Sequence, residues 1–294
     1  MNYIKFEFTC FASSNEILVA TEDTQLAAAI TEIAKQEAFR IERKYSRFRN
    51  DNIIHSINTA LGKPIPIDSE TYQLFSIAQV LHQQSQGMFD ITAGVLNQVW
   101  NFSNPPTYLP SQETIQEMLN YVGLHLIELN DTHVRLQPNM QIDFGGIAKE
   151  YAVDRSAMLI KEYLKTIQAN APTLVNYGGD IATTAPPTIT TQWHITIAQP
   201  SLTQNSTAPT IRVAKGGVAT SGDHYKSFTI DNQTFTHFIN PLTGYPLPKQ
   251  HISSITVCAP TCMSAGMIST LAMLKGHQAE EFLKAQDVLF YVMR

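Results

Sequence analysis

The chain has 294 residues, 44% of them hydrophobic, and a net charge of -5, so it can bury a large core and carries no basic tract of the kind that marks a nucleic-acid surface. No run of about 18 apolar residues exists to span a membrane, and MNYIKFEFTCFAS at the start lacks the apolar stretch of a signal peptide, so the chain reads as soluble and uncleaved, with its compartment open. Three cysteines (Cys10, Cys258 and Cys262) are too few and too odd for a disulfide framework or a closed zinc site, and read as buried thiols.

In chain order, residues 4–20 alternate loosely and predict strands. Thr24 to about Tyr45 predicts a helix, with Leu26, Ile30 and Ile33 at helical spacing. A second helix is expected after Ser69, which reads as its N-cap, with Leu74, Ile77 and Leu81 on one stripe. The prolines of SNPPTYLPSQ mark a loop over 103–112. A helix carrying Ile115, Met118 and Val122 follows from near Ser111, then strand-like runs reaching Asp143. QIDFGGIAKEYAVDR passes from strand to helix, and that helix is expected to end near Ile167. TLVNYGGDI reads as a strand closing in a glycine turn, and ATTAPPTITTQ and QPSLTQNSTAP as surface loops. SFTIDNQTFTHFI predicts a hairpin turning at Asp231–Asn232, ITVCAP a strand, SAGMISTLAMLKG a helix stopped by Gly276, and DVLFYVM a last strand. Helices and strands mix without strict alternation, which favours an α+β fold over a doubly wound parallel sheet. No internal repeat divides the chain, and residues 1–294 are taken as a single domain.

Four glycine turns are loaded with polar groups. In QIDFGGIAKEYAVDR the glycines allow close backbone approach, the helix start offers N–H groups suited to phosphate, and Lys149 adds a cation beside Asp143. A tight turn with a solvated lysine explains the same residues. NYGGD (Asn176–Asp180), KGGVATSGD (Lys215–Asp223) and HFINPLTG (His237–Gly244) repeat the theme with an acid, hydroxyls and an imidazole. No G-x-G-x-x-G opens a βαβ unit, no glycine loop runs into GK[ST], and GxSxG is absent.

These segments resemble those of the ApbE family, the FAD:protein FMN transferases. SRFRNDNIIHSIN (Ser46–Asn58) is similar to the family's SRFxxxSExxxLN, and SQGMFDITAGVL (Ser85–Leu96) to SxGxFDxTxGPL. The stretch from Asp143 resembles DxGGxAKGYAVD. NYGGDI, ATSGDHY, HFINPLTGYP and APTCMSAGMIST follow, in the family's order, NxGGDI, ATSGxY, HIxDPxTGxP and APTxxxADAxST. The resemblance covers nearly the whole chain. It implies a T-fold-like architecture with an FAD cleft between lobes, and transfer of FMN from FAD to a Thr or Ser of a partner flavoprotein, with Mg²⁺ at the pyrophosphate and AMP as the leaving group.

By motif, Phe48 takes the place of an aromatic that packs on the flavin, and Phe11 falls near another lining residue. Met88, Phe89 and Asp90 match a segment lining the FAD site; Asp143 and Lys149 match FAD-contacting positions, with Lys149 also placed in the catalytic set. Asn176 and Ser221 are carried as cofactor-binding positions in their turns. Ile239 matches a stretch at the adenine end, and His237 a proposed base for the attacking hydroxyl; a structural histidine in a hairpin is its other reading. The carbonyl of Gly146 and the hydroxyl of Thr270 match metal ligands. The chain departs from the pattern where Gly266 stands in place of a metal-binding Asp, with no acid between Thr256 and Lys275 to stand in. Milder departures are Glu150 for a glycine, Asn240 for an acid and Asn52 for a serine. Weaker metal binding follows, and Gly266→Asp is expected to raise Mg²⁺-dependent activity. An FAD-binding protein without catalysis, an FAD pyrophosphatase giving FMN and AMP, and a redox protein with resident FAD remain as alternatives.

Overall fold

The computed structural model describes residues 3–102, 106, 108–188, 191–198, 208–222, 227–231, 233–248 and 252–294. The chain opens with a hairpin of β1 (Ile4–Cys10) and β2 (Ser13–Val19), then α1 (Thr24–Tyr45), α2 (Ile53–Asn58), β3 (Ile65–Pro66) and α3 (Ser69–Gln84). A 3₁₀ stretch, Ile91–Gln98, leads to α4 (Gln112–Leu119), β4 (Glu128–Leu129), β5 (His133–Arg135) and α5 (Ala148–Thr166). Next come β6 (Thr173–Tyr177), β7 (Asp180–Thr183), β8 (Trp193–Thr196), β9 (Thr210–Val213) and β10 (Gly216–Gly222). β11 (Ser227–Ile230), β12 (Gln233–Ile239), β13 (Pro246–Pro248), β14 (Ser254–Ala259), α6 (Cys262–Lys275), α7 (Ala279–Ala285) and β15 (Leu289–Met293) complete it.

The α+β expectation holds. The largest sheet has seven strands in the order β1-β2-β6-β7-β10-β14-β15, with every neighbouring pair antiparallel. Alternation along its central strands assigns two faces. Val175, Tyr177, Ala182 and Ala219 join the main core with α1, α5 and α6, while Leu174, Ile181 and Val218 pack on Trp193, Ile195, Ile211 and Val213 of the β8–β9 ribbon. A third core joins Val95, Leu96 and Trp100 to Ile115 and to Phe228 and Phe235 of the β11-β12-β13 sheet.

Local chemistry explains the helix ends. Asp23 caps α1 by accepting from the N–H groups of Gln25 and Leu26, and Ala27, Ile30, Ala34, Ala38 and Ile41 form its buried stripe. For α3 the cap is Asp68, which accepts from the Thr71 N–H, and not Ser69, which is the first helical residue. Either side chain can cap; Asp68 has the extended backbone of a cap (φ -90, ψ 172), while Ser69 already lies within the helix. Gly276, at φ 56, ends α6 as expected. The strand expected to reach Asp143 stops at Arg135. Beyond it Asn58 pairs with both backbone groups of Ile142, accepting from its N–H at 2.8 Å and donating to its carbonyl at 3.0 Å, so a side chain takes the place of a neighbouring strand. In the β11–β12 hairpin Asp231 has φ 50, while Asn232 and most of QPSLTQNSTAP lie outside the described residues. Cys10 and Cys262 are buried and Cys258 half-buried, all as free thiols. Among the described residues no helix is long and apolar enough to cross a membrane.

Candidate functional site

The opening of α5 is where the polar groups meet. Its first turn has no side-chain cap; Asp143 instead accepts from the Gly145 N–H at 2.8 Å and shapes the loop before it. Lys149 reaches across to Asp180, the first residue of β7, at 2.9 Å, with the aspartate side chain only 5% exposed. Between β6 and β7, Gly178 and Gly179 turn the chain at φ 62 and 99, which a residue with a Cβ adopts only under strain. The Asn176 amide oxygen accepts from the Gly179 N–H at 2.8 Å and holds that turn. A side chain at Gly178 would run into Ser13, 2.8 Å away, and lie 3.6 Å from Lys149 Nζ. The β1–β2 tip, the β6–β7 turn and the start of α5 therefore converge.

At the β1–β2 tip Phe11 and Ala12 both have positive φ (56 and 53), the backbone of a two-residue hairpin turn that usually selects Asn or Gly. Glu42 steadies it by accepting from the Phe11 N–H at 2.5 Å, and the Phe11 ring lies 6.0 Å from that of Tyr177. On another side of the site, Phe48 is 76% exposed and takes no part in the core. The Arg47 guanidinium sits 4.4 Å over the Phe48 ring and pairs with Asp143 at 3.1 Å, so Phe48 and Asp143 are linked through one arginine.

Phe89 covers the glycine loop: a Cβ on Gly146 would lie 3.1 Å from the Phe89 ring. Met88 beside it is half-buried. Asp90 is engaged inside the protein, its Oδ1 accepting from the Thr92 N–H and hydroxyl and its Oδ2 from the Leu124 N–H, so locally it fixes the turn that presents Met88 and Phe89. Ser221, on β10, has its hydroxyl 2.9 Å from Ser269 and 3.0 Å from Thr270 on α6. α6 starts directly against β10 because Gly217 has no side chain to collide with the Cys262 backbone. His237 and Ile239 lie on β12, with the His237 ring 4.4 Å from Phe238. Their sheet reaches the rest through the Asn240–Gly244 turn, where Trp100 Nε1–H donates to the Gly244 carbonyl and Leu242 touches Gly87, one residue before Met88. The four glycine turns are thus joined by a continuous series of contacts.

One residue of the site was undervalued by sequence reasoning. Glu150 lies against α6, and a Cβ on Gly266 would be 2.8 Å from its Cγ and 3.1 Å from its Oε1. Its Oε2 is shielded from solvent and has no hydrogen-bond partner among the described residues. Burial, reinforced by the charge of Asp180 and opposed by Lys149, pushes the Glu150 carboxyl up to about 8. For Lys149, burial works against the charge, but Asp180 and Glu150 outweigh it and the ammonium is held. One turn further along α5, Asp154 accepts from the N–H groups of Cys262 and Met263 at 2.9 and 2.8 Å, pinning the start of α6 to α5. A cavity of about 750 Å³ lined by Asp154, Lys161, Lys215 and Pro260 among others contains none of the expected site residues. Lys215 and Gly216 at the start of the third glycine turn line this cavity, while the residues matched to the family's site lie outside it.

A family model described as the ApbE family matches residues 9–292. The chain belongs to the ApbE family. It is 28% identical over 96% of its length to a protein of Haemophilus influenzae named FAD:protein FMN transferase, covering 82% of that relative. It is 25% identical over 92% of its length to the Escherichia coli K12 protein of the same name, covering 78% of it. Among solved structures it is similar to the ApbE protein of Thermotoga maritima (TM-score 0.86, 26% identity, 99% of this chain and 94% of that one). The apo flavinyl transferase ApbE of Pseudomonas stutzeri shares the fold (TM-score 0.83, 21% identity, 100% and 91% covered). Of the segments that resemble the family's, the fold brings together the β1–β2 tip, the Asn176–Asp180 turn and the start of α5, and it sets Glu150 against Gly266.

Proposed function

We propose that this ApbE-family chain is an FAD:protein FMN transferase. A Thr or Ser hydroxyl of an acceptor flavoprotein attacks the FMN-side phosphorus of FAD. The new O–P bond forms as the pyrophosphate bridge breaks, and AMP leaves with the bridging oxygen and its electron pair. Such a reaction needs positioning and charge stabilisation more than covalent help from the enzyme. The observation that carries the reading is the seating of Lys149 beside the Asn176–Asp180 turn, a cation among exposed peptide corners suited to a diphosphate. The relatives' names supply the reaction.

In this reading the exposed Phe48 ring offers a stacking face for the flavin, braced by Arg47 and Asp143. Phe11, Met88 and Phe89 line the flavin side, Asn176 and Ser221 hold the peptide turns and hydroxyls that face the ligand, and Ile239 borders the adenine end. His237 takes the proton of the attacking hydroxyl, a role suited to an imidazole. The residues present also fit a divalent cation. Gly146 offers a carbonyl and Thr270 a hydroxyl, Glu150 has a shielded oxygen without a partner, and no group of three or more His, Cys, Asp or Glu gathers among the described residues. A carbonyl, a hydroxyl and a carboxylate oxygen are hard donors of the kind Mg²⁺ takes together with phosphates and water. When bound, that ion would offset the charge of the pyrophosphate.

The test incubates the protein with FAD, Mg²⁺ and an acceptor carrying a D-x-x-[ST]-x-T segment. Flavin fluorescence on the acceptor after denaturing electrophoresis is the expected result. FMN and AMP released without labelling would replace the reading with a pyrophosphatase, and saturable FAD quenching with neither product would replace it with a binding protein.

A further inference from the structure

We propose that Glu150 is the protein carboxylate of the cation site, delivered from α5 into the space that Gly266 leaves on α6. The inference rests on the transferase reading above for the presence of a divalent cation, but its own evidence is geometric. Glu150 is half-buried, with its Oε2 shielded from solvent. Its Cγ, Cδ and Oε1 occupy the volume directly over the Gly266 Cα, where an ideal Cβ would be 2.8, 3.3 and 3.1 Å from them. A glycine interior to a helix costs about 1 kcal/mol against alanine, so its presence there is explained by what rests on it. The carboxylate's Oε2 points into a solvent-shielded position with no donor among the described residues, and a shielded oxygen of this kind calls for a proton, an ordered water or a cation.

The oxygens a cation would share are on the same surfaces. Thr270 lies four residues after Gly266, one turn along α6 on the same face. Its hydroxyl is tied at 3.0 Å to Ser221, which is tied at 2.9 Å to Ser269. The Gly146 carbonyl belongs to the loop that runs into α5 four residues before Glu150. Asp154, gripping the first N–H groups of α6, sets the register that puts Glu150 over Gly266 and not over a neighbouring side chain. Asp180 is engaged with Lys149 at 2.9 Å, which leaves Glu150 as the carboxylate with coordination to spare. Two of the four departures from the family pattern, Gly266 and Glu150, are then one exchange: an acid lost from α6 and an acid gained on α5, meeting at one point in space.

This replaces the expectation that Gly266→Asp alone raises activity. An aspartate there would strike Glu150 and put two carboxylates in one shielded pocket, and like charges so close do not both stay ionised.

The experiment titrates Mn²⁺ into the full chain at saturating FAD and follows free Mn²⁺ by electron paramagnetic resonance, with metal-free FAD quenching measured in parallel. Glu150→Gln should weaken Mn²⁺ binding at least tenfold while metal-free FAD affinity changes less than about threefold. Gly266→Asp alone should not tighten Mn²⁺ binding. The double variant Glu150→Gly with Gly266→Asp should return Mn²⁺ affinity to within about threefold of wild type, which a purely structural role for Glu150 would not produce. Wild-type Mn²⁺ affinity in Glu150→Gln, tighter Mn²⁺ binding by Gly266→Asp, no recovery in the double variant, or wild-type protein that binds FAD but no Mn²⁺ would each overturn the proposal. Absence of FAD binding in wild type would instead overturn the transferase reading on which it rests.

Discussion

Helix α5 borders two acid clusters on adjacent faces, and they are built on opposite plans. Tyr151 and Arg155 face α1 and α3, where Glu37, Glu70 and Asp68 meet Arg40, Lys44 and Arg155. Every acid there has at least one cation: Arg40 forks onto both oxygens of Glu37 at 2.7 and 2.8 Å, and Lys44 bridges Asp68 and Glu70 at 2.5 and 2.6 Å. Burial pushes the Glu70 carboxyl up, but Arg40 and Lys44 outweigh it and hold it at about 2. Glu150 and Asp154 face α6 instead. There Lys149 stands beside both Asp180 and Glu150, and Glu150 is pushed up to about 8. A saturated cluster is complete without a ligand. An undersupplied one invites a cation, and that is the difference between scaffold and site on a single helix.

The hardest way to break the comparison is to remove the cation on the undersupplied side. Lys149→Met leaves Asp180 and Glu150 shielded together. Breaking a buried pair costs about 3–5 kcal/mol, and because the Lys149 side chain is 28% exposed the expected loss is at the lower end, about 3 kcal/mol. Urea denaturation of the apo protein reads it, and transfer of FMN should fall by about a hundredfold or more, on the order of what one transition-state charge contact supplies. Stability matching wild type would mean that Asp180 is solvated in solution, and the site as drawn would fail.

Arg40→Met tests the saturated side. The expected loss is about 1–2 kcal/mol at neutral pH, since Arg40 is partly exposed and Glu37 and Glu70 each keep a second cation. The sign with pH follows from the depressed Glu70. Its stabilising contribution is fully present above the ordinary glutamate value of 4.5 and is lost as pH falls through about 2. The stability gap between wild type and Arg40→Met should therefore be widest above about pH 5 and close toward pH 2. FMN transfer should stay near wild type, because Arg40's partners Glu37 and Glu70 meet α5 at Arg155 and Tyr151, beyond the glycines that open it. A gap that widens as pH falls would reverse the assignment of Glu70.

Much of the scaffold was legible because it is local. The helical spacing of Leu26, Ile30 and Ile33 spells out α1, although its buried stripe runs through Ala27, Ile30, Ala34 and Ile41, and Gly276 stops α6 by its own conformational freedom. The glycine turns were legible too, as places where polar groups and bare backbone coincide. Two kinds of feature were not. One is substitution of a side chain for a strand, as where Asn58 satisfies Ile142 from 84 residues away. The other is exchange between distant helices. Read along the chain, Glu150 is one more acid in a helix and Gly266 a defect in another; only the packing of α5 on α6, pinned by Asp154, turns two blemishes into one contact. Asp90 taught the same lesson in reverse, since a residue matched to the ligand wall spends both its oxygens on Thr92 and Leu124.

The smallest expected effect concerns a residue that belongs to neither acid cluster. Phe48 is 76% exposed and stacks under Arg47, which is itself drawn to Asp143. An aromatic ring left in water contributes almost nothing to the folded state, so Phe48→Ala should leave stability within about 0.5 kcal/mol of wild type. The face turned away from Arg47 can meet a second planar ring, and such pairs are worth about 1 kcal/mol beyond area. FAD affinity should therefore drop about fivefold by fluorescence quenching, with Mn²⁺ binding at saturating FAD unchanged. That pattern separates the flavin end from the cation end. If Phe48→Ala weakens Mn²⁺ as much as FAD, the two ends are not independent; if it leaves FAD untouched, the Arg47–Asp143 pair holds the ring for another purpose and the flavin must stack elsewhere.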